Sequence, residues 1–254
     1  MIELDKIYNM DCIEGMKMIP DGSVDCVICD LPYGVTECKW DTVIPFNVLW
    51  EQYRHVCKEN AAIILFGTEP FSSHLRLSNL KCYKYDWVWN KRNCSGFLNA
   101  KKQPLRSNEL ISVFYKKQCT YNPQMSLDRK PRKWDGLHRT YSSLYNKTGI
   151  FERNTSAKDL AYPKTVLNFT GVVNNSKEKV DHPTQKPLEL IRYLVRTYTN
   201  EGDVILDNCM GSGTTAVAAI EEKRHFIGFE TEEKYCVIAN KRINEANNDL
   251  PLFR

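Results

Sequence analysis

Two short segments carry the residue types from which a reaction centre could be built. In Asp30-Leu31-Pro32-Tyr33-Gly34 a carboxylate, a proline-stiffened turn and an aromatic ring follow one another. Such a set offers a hydrogen-bond acceptor and a stacking face in little space. In Asp207-Asn208-Cys209-Met210-Gly211-Ser212-Gly213-Thr214-Thr215 an acid precedes a glycine-rich turn. Glycine lets backbone approach a ligand closely, and the first amides of a following helix point at it. Glu230 adds a carboxylate suited to ribose hydroxyls. Together the second group describes a site for an adenosine-containing cofactor.

Each segment also has a plainer reading. Asp30 to Gly34 would serve as a strand-end turn with a buried tyrosine, and Gly-x-Gly as a tight strand-to-helix connection. Gly211-x-Gly213-x-x-Ala216 also matches the dinucleotide fingerprint, with Glu230 at a suitable distance. Position argues against NAD, because that unit normally opens its fold and here only one strand and one helix follow. A phosphate-binding P-loop is excluded, since no Gly-Lys-Ser/Thr follows the glycines.

The elements that must position these residues alternate along the chain. Apolar runs predict strands at Val24 to Asp30, Ala61 to Gly67, Tyr85 to Asn90, Glu109 to Tyr115, Val204 to Asp207 and His225 to Glu230. Amphipathic stretches predict helices at Phe46 to Lys58, Pro70 to Leu80, Pro187 to Thr199, Thr214 to Lys223 and Glu232 to Asn247. This alternation argues for mostly parallel strands joined by helices, with an antiparallel pair from Tyr85 to Tyr115 at one edge. Asp30 and Asp207 then both stand at the carboxyl ends of strands, where ligands bind in open α/β sheets.

The chain has 254 residues, 42% hydrophobic and 26% charged, which excludes disordered and fibrous classes. Its longest apolar runs fall far short of the roughly 18 to 20 residues that a membrane span needs, and Met1-Ile2-Glu3-Leu4-Asp5 has no secretory pattern, so a cytoplasmic protein is expected. Ten cysteines form no repeating framework. Cys26 and Cys29 lie on one strand, which turns their thiols to opposite faces, and no metal is expected. His55, His74, His138 and His225 are read as packing or surface residues. The net charge of +4 hides an asymmetry: Lys116 to Val180 holds 13 basic and 5 acidic residues, a local +8, against −4 elsewhere. A polyanion-binding surface is expected there, with a solvated basic loop as the plainer reading.

Asp30-Leu31-Pro32-Tyr33, His182-Pro183-Thr184-Gln185-Lys186-Pro187 and Gly211-Ser212-Gly213-Thr214-Thr215, in that order, resemble the amino-group DNA methyltransferases in their permuted beta group. The resemblance implies a Rossmann-like, S-adenosylmethionine-dependent α/β fold, circularly permuted, with an inserted target-recognition region. The implied division is a catalytic half over 1–116, a basic recognition insertion over 117–180 and a cofactor-binding half over 181–254. Asp30 and the Leu31 carbonyl would accept hydrogen bonds from the exocyclic amine of the target base, with Pro32 shaping the turn and Tyr33 stacking on the extruded ring. Asp207, Cys209, Gly211, Ser212, Gly213 and Thr214 would line the methionine part of S-adenosylmethionine, and Glu230 its ribose, with Asp30 also counted among the cofactor-binding residues. His182, Thr184 and Lys186 would help hold the methionyl end, while Asp11, Cys12 and strand residues beside Ile28 flank the adenine. Leu31 replaces the usual first proline, Asn208-Cys209 a common Pro-Phe, and Met10 the glycine before Asp11.

Aspartate at position 30 resembles the adenine-N6 enzymes, so the expected activity is methylation of N6 on a flipped adenine in double-stranded DNA. The alternatives are cytosine-N4 methylation, an RNA methyltransferase and a DNA-binding module without catalysis. Arg129, Lys130, Arg132, Lys133, Trp134 and Arg139 are the expected recognition residues, with Lys91, Arg92, Asn108 and Glu109 near expected strand ends guiding the strand. A homodimer and a partner restriction endonuclease are further expectations of the resemblance.

Overall fold

The computed structural model describes residues 2–35, 38, 40–126 and 160–249. Eight strands form one sheet: β1 Lys6–Asn9, β2 Val24–Cys29, β3 Cys57–Gly67, β4 Tyr83–Ser95, β5 Arg106–Phe114, β6 Val166–Asn168, β7 Val204–Asp207 and β8 His225–Glu230. Their spatial order is β1-β8-β7-β2-β3-β5-β4-β6. From β1 to β3 every pairing is parallel; β5 is antiparallel to β3 and β4, and β6 runs parallel to β4. The predicted α/β class and the antiparallel β4–β5 pair are both present.

Among the described residues the α-helices are α1 Cys12–Met16, α2 Phe46–Val56, α3 Phe71–Ser78, α4 Leu188–Tyr198, α5 Thr214–Glu221 and α6 Glu233–Asp249. Side-chain alternation in β2 divides the core between the two faces. Cys26 and Ile28 join Leu190, Leu194, Ala216 and Phe226 under α4, α5 and α6. Val27 and Cys29 join Met16, Leu49, Tyr53 and Phe71 under α1, α2 and α3. Cys26 and Cys29 therefore face opposite layers, as strand geometry requires. Every side chain of β2 except Asp25 is buried, so the strand is firmly anchored on both faces where it presents a reactive group at its end.

Three features depart from the expected elements. β1 and α1 are too short to show a period, and β1 forms through its pairing with β8. β3 starts at Cys57, directly after α2, four residues before the apolar run begins. The chain divides into compact units over 1–122 with 165–254, and over 123–164. Residues 117–122 and 165–180 thus belong to the larger unit rather than to the expected insertion, because β6 extends the sheet alongside β4. In the smaller unit the described residues include an antiparallel bridge between Ser126 and Ala161.

Candidate active site

Chain order reverses between β2 and β7: β2 leads to β3 on one side, whereas β7 leads to β8 on the other. A reversal of this kind leaves a crevice at the carboxyl ends of the two strands. Here the crevice is a cleft whose walls include Asp30, Lys186, Asp207, Gly211 and Thr214. The two sequence motifs, 177 residues apart from Asp30 to Asp207, meet there because their strands are neighbours.

Asp30 directly follows β2. Its Oδ1 accepts a hydrogen bond from the Tyr33 hydroxyl and its Oδ2 from the Lys186 ammonium. Lys186 also faces Glu109 Oε2 at 3.5 Å, and Glu109 Oε1 accepts from Lys91 at 2.9 Å. Carboxylates and ammonium groups therefore alternate from Asp30 through Lys186 and Glu109 to Lys91. Burial lifts the Asp30 carboxyl above the ordinary aspartate range against the pull of Lys186, and neighbouring Glu109 adds to the rise. Burial opposes the charge on Lys186, yet Asp30 and Glu109 together hold its pKa above the usual lysine value. An isolated buried charge would cost several kcal/mol, so this network is what keeps an ionised acceptor in place.

The turn after Asp30 is fastened by a residue that no motif marks. Asp41 accepts backbone N–H bonds from Tyr33 at 2.7 Å, Gly34 at 2.9 Å and Val35 at 2.9 Å. Gly34 has φ +68°, where a side chain is disfavoured. Leu31 is buried in the α1–α3 layer, and the Tyr33 ring packs 4.9 Å from that of Phe71. Side-chain burial on both sides of Pro32 thus fixes how Asp30 meets the cleft.

The glycine loop is held just as closely. Glu230 accepts from the Gly211 amide at 2.8 Å with one oxygen and from the Glu232 amide at 2.9 Å with the other, each oxygen retaining capacity for a second donor. Arg242 of α6 donates to the Ser212 carbonyl at 2.7 Å and to Thr214 Oγ1 at 3.0 Å. A Cβ on Gly213 (φ +80°) would lie 2.8 Å from Ala239 Cβ, and one on Gly211 would lie 2.9 Å from His182 Nε2. Asp207 accepts from the Cys209 amide at 3.1 Å, and burial raises its carboxyl to about 6. His182 packs 4.4 Å from Tyr235 and 6.3 Å from Trp40. Burial lowers its pKa to about 4, with Lys186 and other cations adding to the effect, so the ring is neutral. Thr184 donates its amide to His182 Nδ1 at 3.3 Å.

Other expected residues fall elsewhere. Asp11 caps α1, its Oδ1 accepting from Ile13 and Glu14 amides at 2.8 and 3.2 Å. Cys12 lies beside Asn208 Nδ2 at 3.7 Å, as does Cys209, itself part of the cleft wall, at 3.5 Å, and Tyr53 donates to Asn208 Oδ1 at 2.6 Å. Lys91 is committed to Glu109, whereas Arg92 is exposed at φ +58°. Arg129, Lys130, Arg132, Lys133, Trp134 and Arg139 lie outside the described residues. Asp41, Trp40 and Arg242 were not marked by any local pattern, because each acts across a loop or from a helix whose partners are remote in sequence.

Fold and site define an open α/β protein with a reversal-point cleft, walled by a glycine loop on one side and a strand-end carboxylate on the other. The chain belongs to the DNA methylase family, whose N6/N4 model matches residues 24–241. It is 28% identical to the type II methyltransferase M1.MboII of Moraxella bovis, over 96% of this chain and 98% of that protein. It is 30% identical to the DNA adenine methyltransferase YhdJ of Escherichia coli strain K12, over 97% of this chain and 85% of that protein. The solved M1.HpyAVI–SAM complex has the same fold, with a TM-score of 0.63 and 24% identity over 94% of this chain and 98% of that one.

Proposed function

We propose that this DNA methyltransferase transfers a methyl group to the exocyclic N6 of an adenine swung out of double-stranded DNA. The observation that carries the reading is the Asp30 carboxylate, held between Tyr33 and Lys186 at the cleft of the glycine loop. The methyl donor is S-adenosylmethionine, which supplies an electrophilic methyl on a sulfonium. The residues present suit it: Asp207 and Asp30 face the cleft with negative charge, Glu230 can accept from ribose hydroxyls, and Gly211, lacking a side chain, lets the His182 ring close against the loop at the cleft wall.

An exocyclic amine conjugated to a base ring is a weak nucleophile. Acceptors on its two hydrogens, Asp30 and the Leu31 carbonyl, favour the geometry that frees nitrogen lone-pair density. In-line transfer then depends on positioning and charge more than on a strong base. Asp30 also serves as acceptor for the proton that the amine loses. A paired base cannot reach this cleft, so extrusion costs roughly a few kcal/mol, offset by stacking on Tyr33 and by the two hydrogen bonds.

The adenine assignment is supported by aspartate at position 30 and by the likeness to YhdJ, an adenine methyltransferase. Cytosine presents an amine with a similar donor pattern, so N4 methylation is the second reading. Incubation with labelled S-adenosylmethionine and mixed-sequence duplex DNA, alongside RNA of mixed sequence, followed by nucleoside analysis, tests both. N6-methyladenine is expected; N4-methylcytosine refutes the base assignment, and label confined to RNA refutes the substrate.

A further inference from the structure

The β4–β5 hairpin is longer than the sheet needs. Glu109, which touches the Lys186 of the catalytic network, pairs with Trp89, and the ladder continues through Asn90 and Asn108 to Ser95 and Arg106. At about 3.3 Å per residue, Arg106 stands roughly 10 Å beyond Glu109, and the tip lies farther still. β4 runs parallel to β6 and antiparallel to β5, which is antiparallel to β3. The hairpin therefore projects from the same end of the sheet as Asp30.

Its tip is an ordered turn with an apolar end. Gly96 at φ +89° starts a short 3₁₀ turn over Phe97–Asn99, closed by hydrogen bonds from the Asn99 and Ala100 amides to Gly96 and Phe97. Phe97 is 68% exposed and Leu98 is 101% exposed, so the turn presents both side chains to solvent rather than to the core. Between Arg92 and Asn108 the chain carries Arg92, Lys101, Lys102 and Arg106, with no acidic residue. All four cations are exposed, and among the described residues none is ion-paired. At the neck, Arg92 holds φ +58°, a conformation rare outside glycine, fastened by the Gly171 amide on the Lys91 carbonyl at 3.0 Å.

We propose that this hairpin is a DNA wedge: Phe97 and Leu98 enter the duplex beside the target nucleotide, while Arg92, Lys101, Lys102 and Arg106 hold the flanking phosphates. The inference rests on the DNA-methylating reading above. Apolar side chains at an ordered tip unstack base steps, and surrounding cations attach to the backbone without reading sequence. The projection from Asp30's end of the sheet puts the wedge where a base must leave its stack.

The test compares single-turnover methylation of two duplexes carrying the methylated sequence, mapped by sequencing of the modified DNA, one fully paired and one with the target base mispaired. Joint Phe97→Ala and Leu98→Ala substitution should slow the paired duplex about tenfold or more and the mispaired one less than about twofold, because mispairing already removes part of the extrusion cost. Joint Lys101→Gln and Lys102→Gln substitution should flatten the slope of log affinity against log salt by about 1.8. Equal loss on both duplexes, no loss on either, or an unchanged salt slope overturns the proposal. A changed oligomeric state in the Phe97→Ala, Leu98→Ala protein would instead assign the tip to contact between copies. A wild-type protein that methylates no DNA removes the functional reading and the wedge with it; normal methylation with insensitive variants removes the wedge alone.

Discussion

Lys186→Met keeps the length of the side chain and removes the ammonium between two buried carboxylates. Its Nζ lies against Asp30 Oδ2 and 3.5 Å from Glu109 Oε2, with the Lys186 side chain 10% exposed. Removing one partner of a buried pair costs about 3–5 kcal/mol, chiefly because the remaining charge is left uncompensated. At 1.36 kcal/mol per pKa unit, a loss of about 3 kcal/mol of support for the Asp30 carboxylate raises its pKa by about two. Asp30 must be ionised to accept from the amine, so activity disappears as pH falls through the folded-state pKa. The acid limb of the single-turnover rate should therefore move about two pH units upward in Lys186→Met, with S-adenosylmethionine binding measured in parallel by calorimetry. Lys186→Arg, which retains the charge, should restore most of the shift. A Lys186→Met profile that superimposes on the wild type would refute the role of the ammonium in holding Asp30 ionised.

Asp41→Ala removes the acceptor for three backbone amides of the 33–35 turn. At roughly 1.5–3 kcal/mol for a hydrogen bond to a charged group, the turn loosens enough to lower kcal-scale order around Tyr33; methylation should fall at least about tenfold while calorimetric cofactor affinity stays within about twofold. His182 is held neutral with a pKa near 4, so the unfolded chain binds more protons between that value and the ordinary 6.5. Its contribution to stability is full above pH 6.5 and falls as pH drops toward 4. The stability advantage of wild type over His182→Gln, measured by urea denaturation, should shrink by on the order of 3 kcal/mol from pH 7 to pH 4. The raised Asp207 carboxyl acts with the opposite sign in that window and cancels in the comparison.

The sheet was readable because its central strands carry uninterrupted apolar runs, as at Cys26–Cys29 and Ala61–Gly67, and because Gly211 and Gly213 need conformations that few other residues adopt. Asp30 and Asp207 could be placed on strand ends for the same reason. What escaped is non-local. β1 and β6 are four and three residues long and owe their form to β8 and β4. Glu109 reads as an acid at a strand end until β5 is paired beside β3, which brings it to Lys186. Lys186 itself sits in a segment expected at the methionyl end of the cofactor, and the structure places its ammonium on Asp30. Charge networks of this kind depend on strand order, which residue periodicity does not encode.

The central claim is that Asp30 carries the transfer without being needed to hold the cofactor. Nucleoside analysis of duplex DNA after a single turnover with labelled S-adenosylmethionine, run on wild type and Asp30→Ala, tests it most directly, with cofactor affinity measured on the same preparations. Labelled N6-methyladenine is expected from the wild type, at least a thousandfold less from Asp30→Ala, and a cofactor affinity in the variant within about threefold of wild type; three orders of magnitude correspond to about 4 kcal/mol of transition-state stabilisation. Robust methylation by Asp30→Ala would contradict the claim.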